Sequence, residues 1–473
     1  ITYQYDNLNR VIRKTVPERA GLDASHSRDV FYQYDIRGLQ LWARFDSDSG
    51  AGTTSSYDRY GRIVSTSDNI SGAARDLAYT YDAAGNRTSI RHVWDNRTFS
   101  YDYSAGGQFN RIRDPGSLTL VDYNYNTKGE LTQAVKYLSA PDQSWTYDPI
   151  GRLASTTIDS PTNTFDVTWS YTRNPASQIR SETQTNDSYR WNAFQPVNRT
   201  YTTNGLNQYT FVSGQGYCYD PNGNLTADGE YVYLYDIENR LVEMRAQGTG
   251  NSSCLSLSYA GQAKALLRYD PLGRLYETTN YIGGVSQGAR RYLHDGDALV
   301  AEFNATGTLL ARYIHGPAAG ADDPLVSYES ASVAISAARF LQSDARGSVV
   351  YSSTSSDGSR VINTYDEYGQ PGTANAGRFQ YTGQAWLPEL GMYYYKARIY
   401  SPRLGRFMQT DPIGYEAMTN KVSLHDFHAT VLNLLGFVFT FGIGTAWGVL
   451  QYRPEVLPTT QPFLALFFAF YLL

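Results

Sequence analysis

Gly284-Val285-Ser286-Gln287-Gly288 has the G-x-S-x-G spacing of a nucleophile elbow. In that device a sharp strand-to-helix turn presents a serine hydroxyl for attack on a carbonyl. The chain continues Arg290-Arg291-Tyr292-Leu293-His294, which reads as a strand, so the segment reads as a Gly-rich hairpin tip. His425 and His428 lie three apart beside Asp426. On a helix they would share a face and could bind a metal, but a zinc site takes three or four ligands and no third neutral one is nearby. They read as a polar entry to the apolar run that follows. His26, His92, His294 and His315 are scattered. No metal and no cofactor is expected. Asp411-Pro412-Ile413-Gly414 repeats the tetrapeptide Asp148-Pro149-Ile150-Gly151, which belongs to an ordinary hairpin. By itself it signals a turn, and any chemistry at Asp411 has to come from its context.

The elements that would position these residues announce themselves by repetition. The phrase Tyr-Asp-x-x-Gly-Arg/Asn-aliphatic stands at Tyr57-Asp58-Arg59-Tyr60-Gly61-Arg62-Ile63 and again from Tyr81, Tyr147, Tyr219, Tyr269 and Tyr365. Looser copies start at Tyr5-Asp6, Tyr34-Asp35, Tyr101-Asp102 and Tyr235-Asp236. Asp at the first turn position, Pro often at the second and Gly at the fourth are the preferences of a type I turn followed by a residue at positive φ. That is a hairpin with a bulge after its turn. Flanking segments such as Ala78-Tyr79-Thr80-Tyr81 alternate as strands do. Calcium at the repeated Asp is disfavoured, because it needs six or more oxygens and each copy offers one carboxylate.

A uniform repeat predicts one elongated all-β hairpin assembly over residues 1–375, since each unit buries its apolar face only against its neighbours. Ala331 to Leu341 is the best helical candidate within it. The 473 residues include 41 Tyr against 19 Phe and 7 Trp. Tyr at matching positions of successive hairpins predicts ladders of stacked rings whose hydroxyls reach water or backbone; the competing reading is a sugar-binding surface. Net charge is −5 with no basic stripe, which argues against nucleic-acid binding. Cys218 and Cys254 either pair across neighbouring hairpins or stand as two unpaired small residues. The chain opens at Ile1 inside a repeat and reads as a fragment of something longer.

Residues 378–415 differ. They read Arg378-Phe379-Gln380-Tyr381-Thr382-Gly383-Gln384, then Glu389-Leu390-Gly391-Met392-Tyr393-Tyr394-Tyr395-Lys396-Ala397-Arg398-Ile399-Tyr400, then Ser401-Pro402-Arg403-Leu404-Gly405-Arg406-Phe407, ending Asp411-Pro412-Ile413-Gly414-Tyr415. This resembles the core-associated segment of Rhs and YD-repeat proteins, including the C subunits of insecticidal toxin complexes. The repeats resemble the same family, so about 415 of the 473 residues are covered. The resemblance implies a hollow β shell (1–375) enclosing a variable C-terminal effector, with the core segment (376–417) as plug and, in several members, as aspartyl autoprotease. It further implies a secreted or surface-exposed protein, with a delivery or secretion component and an immunity protein as partners. Carried over, Asp411 is the motif aspartate, Pro412 and Gly414 shape its loop, and Tyr415–Glu416 is the bond cut. Arg406 matches the arginine of the family's Gly-Arg-aromatic phrase, with Arg403 and Gly405 shaping the same stretch. Such a cut needs a carboxylate base to activate water and a second acid kept protonated. Arg406 is expected to hold Asp411 ionised or to orient it. No second carboxylate is identified; Glu416 and Asp426 are near in sequence. After Tyr415 the family usually continues with a Gly-containing stretch, whereas this chain reads Glu416-Ala417-Met418-Thr419-Asn420.

Residues 418–473 change character. Val431 to Leu450 is an uncharged run of 20, long enough to span a bilayer as a helix, and Val456 to Leu473 is a second apolar run. Lys421 to Phe437 is similar to a C-terminal segment of sulfatase-like proteins, and Phe437 onward to an uncharacterised multi-pass membrane family. Three readings stand: a membrane-active toxin carried by the shell, a membrane anchor, or a composite of joined fragments. The expected function is thus an encapsulating shell for a C-terminal effector, with self-cleavage after Tyr415. The alternative is a surface adhesin or wall-associated module binding cell-surface glycan.

Overall fold

The computed structural model describes residues 1–412 apart from 138–139, 163, 194–197, 249–253, 255–258, 317–321 and 356–357. Gly414, Tyr415, Glu416, His425, Asp426, His428 and the apolar tail lie outside the described residues. Two compact units form, one of residues 1–169 with 184–410, the other of 170–183 with 411–473. In the smaller unit the described part is chiefly a hairpin, the end of strand Val167–Arg173 returning along Ile179–Gln184.

The larger unit is all-β, and the described residues hold only single 3-10 turns besides strands. Its first sheet adds antiparallel hairpins in chain order from Thr2–Tyr5 onward. Its middle sheet adds thirteen strands in the same way, from Cys218–Tyr219 to Arg360–Ile362. A four-stranded core sheet follows: Ala385–Leu387, Met392–Tyr395, Arg398–Ser401 and Arg406–Phe407. No sheet among the described residues closes on itself.

Each hairpin turns as the repeat predicts. At Asp58 the Gly61 amide donates to the Asp58 carbonyl and the Asp58 amide to the Arg62 carbonyl, with a bulge beside Tyr57. Gly61 sits at φ +83°, where a side chain would be strained. The Asp58 carboxylate accepts from the Tyr60 and Arg62 amides with one oxygen and from Arg62 Nε (2.7 Å) with the other. Asp148 does the same with Ile150 and Arg152. The Arg152 amide first, and its side chain after a small burial cost, hold the Asp148 carboxyl below its ordinary value. A carboxylate so occupied has no place for calcium. Where the turn opens with Asn, its partner four residues on is neutral or acidic: Asn126 Nδ2 donates to Glu130 and Asn204 Nδ2 to Gln208.

The tyrosines do more than stack. In six hairpins the hydroxyl that precedes the turn donates to a main-chain carbonyl in the hairpin before it. Tyr57 reaches Gln40, Tyr81 Ile63, Tyr125 Phe109, Tyr147 Leu131, Tyr269 Leu241 and Tyr365 Val349, at 2.7–2.9 Å. The arginine spans the same gap at the tips: Arg10 Nη1 donates to the Asp35 carbonyl and Arg37 Nη1 to that of Asp58. Hydroxyls aimed at backbone support the ladder reading over an open sugar platform.

The two large sheets are buried differently. Strands of the first alternate, as in Arg97–Tyr103, where only Phe99 and Tyr101 are buried. Strands of the middle sheet are buried on both faces, as in Ala298–Asn304, where Leu299 through Phe303 are all buried. The middle sheet is sandwiched. Leu293, Ala301, Phe303, Ile314 and Phe340 pack against Leu77, Phe99, Ile112 and Val121 of the first sheet. Tyr292, Leu299, Ala311 and Tyr313 pack against Phe379, Leu387, Met392 and Ile399 of the core segment.

Three expectations need correction or completion. Ala331 to Leu341 is not helical: Ile335–Ala337 makes one 3-10 turn and Ala338–Ser343 is a strand paired on both sides, because Ala338 and Phe340 face the first sheet. Tyr101-Asp102 lies within a strand, and Tyr103-Ser104 opens that turn instead; Asp102 pairs across the sheet with Arg113. Cys218 and Cys254 form a disulfide. Ser286 lies in strand Val285–Asp295, after a turn at Gly283 and Gly284, so no strand-to-helix elbow forms.

The hydroxyl link sets a measurable difference. Tyr269→Phe, with the ring buried, is expected to lower stability by roughly 1–2 kcal/mol in urea unfolding, and Tyr57→Phe, half-buried, by about 0.5 kcal/mol or less. Equal and negligible costs would show that the links do not carry the stacking.

Candidate functional site

The segment from Gly377 to Thr410 is held against the middle sheet by buried charge. Glu302 sits alone in the apolar run Leu299-Val300-Ala301-Glu302-Phe303 and is fully buried. Its carboxylate accepts from Arg378 Nε (2.6 Å) and Nη2 (3.0 Å), from Arg290 Nη1, and from the Tyr313 hydroxyl (2.7 Å). Burial acts to raise the Glu302 carboxyl, but Arg378 and then Arg290 outweigh it and hold it down to about 2. Lys396 pairs with buried Asp322, which also accepts from the Leu299 amide. Arg403 pairs with buried Asp228 and with Glu230. Asp228 in turn accepts from the Tyr233 hydroxyl (2.9 Å).

The triple tyrosine makes the remaining ties. Tyr393 donates to the Gly369 carbonyl (2.9 Å), Tyr394 Oη accepts from the Leu275 amide (3.0 Å), and Tyr395 Oη lies 2.5 Å from Thr382 Oγ1. Gly405 has φ +63°, and a Cβ there would lie 2.6 Å from the Tyr368 ring, so this glycine lets a hairpin tip close onto the segment.

The chain then runs to Asp411 along the hairpin tip 220–224. The Leu225 amide (2.9 Å) and the Tyr235 hydroxyl (3.3 Å) donate to the Met408 carbonyl, and the Thr410 amide donates to Asn224 Oδ1 (3.4 Å). Asp411 and Pro412 are exposed. Arg406 Nη1 donates to the Asn207 carbonyl (2.7 Å) and its guanidinium lies 4.0 Å over the Tyr209 ring. It fastens the segment to the small sheet that includes Tyr209–Val212.

Asp228, Glu302 and Asp322, the acids that seat the segment, are absent from the sequence reading. A lone Glu within an apolar strand was the available signal for Glu302. A cleft of about 700 Å³ opens where the turn 388–391 meets the middle sheet, with Tyr231, Asn280, Tyr281, Gln287, Asn304 and Glu389 among its lining.

These features can be set beside known proteins. The fold is shared with a chain of a toxin assembly. The structure of the Photorhabdus luminescens Tc holotoxin pore, carrying a TccC3 variant, matches with a TM-score of 0.50 at 15% identity, over 87% of this chain and 26% of that chain. A TcdB2-TccC3 crystal structure matches with a TM-score of 0.38 at 14% identity, over 87% and 23%. Over 189 residues, the chain is 29% identical to the tRNA3(Ser)-specific nuclease WapA of Bacillus spizizenii and 26% identical to the tRNA nuclease WapA of Bacillus subtilis. Each alignment covers 38% of this chain and 7% of the relative, so the chain matches a small part of those proteins. Residues 427–473 match a family model described as a predicted membrane protein, DUF2339. Among the described residues no helix is long and apolar enough to cross a membrane.

Glu302→Gln leaves two arginines facing a neutral amide in a dry seam. A loss of roughly 3–5 kcal/mol in urea unfolding is expected. Because the folded Glu302 carboxyl lies below its ordinary value of 4.5, its contribution is present above that pH and disappears as pH falls toward 2. Wild-type and variant stabilities should therefore converge in that acid window.

Proposed function

We propose that this chain is part of the encapsulating shell of an Rhs-type polymorphic toxin. Its core segment seats the point from which a C-terminal effector departs. The observation that carries this reading is the seating itself: buried ion pairs at Glu302, Asp322 and Asp228 hold residues 378–403, and the backbone is gripped through Thr410. Everything up to that point is anchored, and exposed Asp411 follows directly. The shared fold with the Tc holotoxin chain and the sequence likeness to the WapA nucleases support the toxin setting. On this reading the closed hollow shell requires more of the repeat ribbon than residues 1–375. The partners are the effector, a delivery or secretion component and an immunity protein, and the setting is secreted or at the cell surface. The match of residues 427–473 to a membrane-protein family supports a composite or membrane-directed tail.

Self-cleavage between Tyr415 and Glu416 is the activity proposed for the segment, with Asp411 as its base. Arg406, which also binds Asn207 and Tyr209, is proposed to hold Asp411 ionised or to orient it. Gly414, Pro412 and Tyr415 would present the bond. Intact mass of the expressed chain, beside Asp411→Asn, tests this. A break after Tyr415 in wild type and none in the variant is expected; an uncut, folded wild-type chain leaves a shell segment without protease activity.

The glycan-binding alternative is favoured by one observation, the polar cleft with Tyr281, Asn280, Gln287 and Asn304. Binding of cell-wall polysaccharide that Tyr281→Ala abolishes would favour a surface adhesin over the container.

A further inference from the structure

Three of the histidines among the described residues are buried, and each lies where two layers meet. His92 ends strand Arg87–His92 of the first sheet and has no exposed surface. Its ring stacks on Trp94 at 4.7 Å, and Trp94 meets Phe303 of the middle sheet edge-on at 5.7 Å. Across the seam stands Arg312 of the middle sheet, also fully buried, paired with Asp95 and lying over Phe99. Neither ring nitrogen of His92 has a hydrogen-bond partner among the described residues. The other groups with charge or a titrating proton near Arg312 are Arg97 and Tyr328.

His26 closes the 3-10 turn Ala24–His26, which packs on the middle-sheet strand Ala263–Tyr269. It faces Arg268, Asp236 and Glu243, with Asp23 on its own turn. His294, in the middle sheet, is hydrogen-bonded to the Leu275 carbonyl (2.8 Å), and the amide of Leu275 binds Tyr394 of the core segment. Arg274 and Lys396 are the cations near it, the Asp297 backbone lies close by, and its Nδ1 has no hydrogen-bond partner among the described residues. Each buried ring thus has a cation among its neighbours at a junction between layers.

We propose that these histidines make the stacking of the layers acid-sensitive: protonation places a second positive charge in each dry seam and parts the sheets. Burial first, and the neighbouring cations in support, lower the proton affinity of all three, His294 to about 3. A parted seam returns each ring to an ordinary value near 6.5. The closed state is therefore fully favoured above about pH 6.5, and each histidine favours opening by up to about tenfold per pH unit below it. Partly buried Asp68, raised to about 6, and Asp142, also raised chiefly by burial, hold their protons more tightly in the closed state and oppose the opening. Lys136, lowered to about 7, acts above that pH and not in this window. The device is independent of self-cleavage.

Hydrogen exchange of the full chain at pH 7.0 and 5.5, corrected for intrinsic rates, reads the seams. Protection of residues 90–97 and 309–315 is expected to fall by about eightfold at the lower pH, more than in the hairpin 53–68, which carries no histidine. His92→Phe keeps the stack on Trp94 without a titrating nitrogen, and is expected to retain protection of 90–97 at pH 5.5. Equal losses in wild type and His92→Phe would overturn the proposal. If the variant does not fold, wild type decides alone: seam protection unchanged between the two pH values overturns it.

Discussion

Everything in the larger unit depends on how a turn carboxylate and a tyrosine hydroxyl are satisfied. An isolated hairpin is marginal in water, because it orders a dozen residues for a few cross-strand bonds. Here the Asp side chain closes its own turn amides and binds the arginine four residues on, while that arginine and the neighbouring tyrosine reach carbonyls of adjacent hairpins. Each such hydrogen bond contributes on the order of 1 kcal/mol where it is shielded from water. A side chain that terminates one hairpin and ties it to the next converts marginal units into a continuous ribbon. The Asp–Arg, Asp–Asn, Asn–Glu and Asn–Gln pairs at the tips obey one rule of donor and acceptor complementarity.

A ribbon alone has two faces to cover. The middle sheet solves this by lying between the first sheet and the core segment, and its strands lose their alternation as a result. Buried Glu302, Asp322 and Asp228 then become costly unless cations arrive from the segment, which is what Arg378, Lys396 and Arg403 supply. Such pairs add little net stability over apolar side chains, yet they admit one seating of the segment, because any slip would leave buried charge unmatched. Position, more than strength, is what they provide at the approach to Asp411.

The turn chemistry was legible where Asp, Gly and Arg or Asn act within five residues of one another, and failed at Tyr101-Asp102, where Ser104 opens the turn. Layering was not. Asp148-Pro149-Ile150-Gly151-Arg152 and Asp270-Pro271-Leu272-Gly273-Arg274 read alike, yet the Asp148 side chain is 21% exposed and that of Asp270 1%. The difference lies in what covers each tip, and that comes from remote chain. The core segment stood out as a run of residues, but the partners of Arg403 and Arg406 are more than 170 residues away. The contacts of Arg406 with the Tyr209 ring and the Asn207 carbonyl could not be read from its neighbours in sequence.

The hydroxyl ties point one way along the chain. In each, the tyrosine of a later hairpin reaches a carbonyl in the one before it. The acceptor is therefore already in place when the donor leaves a ribosome, and synthesis proceeds in the direction of docking. A ribbon built in this sense can consolidate turn by turn as it emerges, with short loops to close at every step. The buried acids of the middle sheet are the exception, since they await cations made last. Vectorial growth thus leaves one late event, the arrival of the core segment, to complete the molecule.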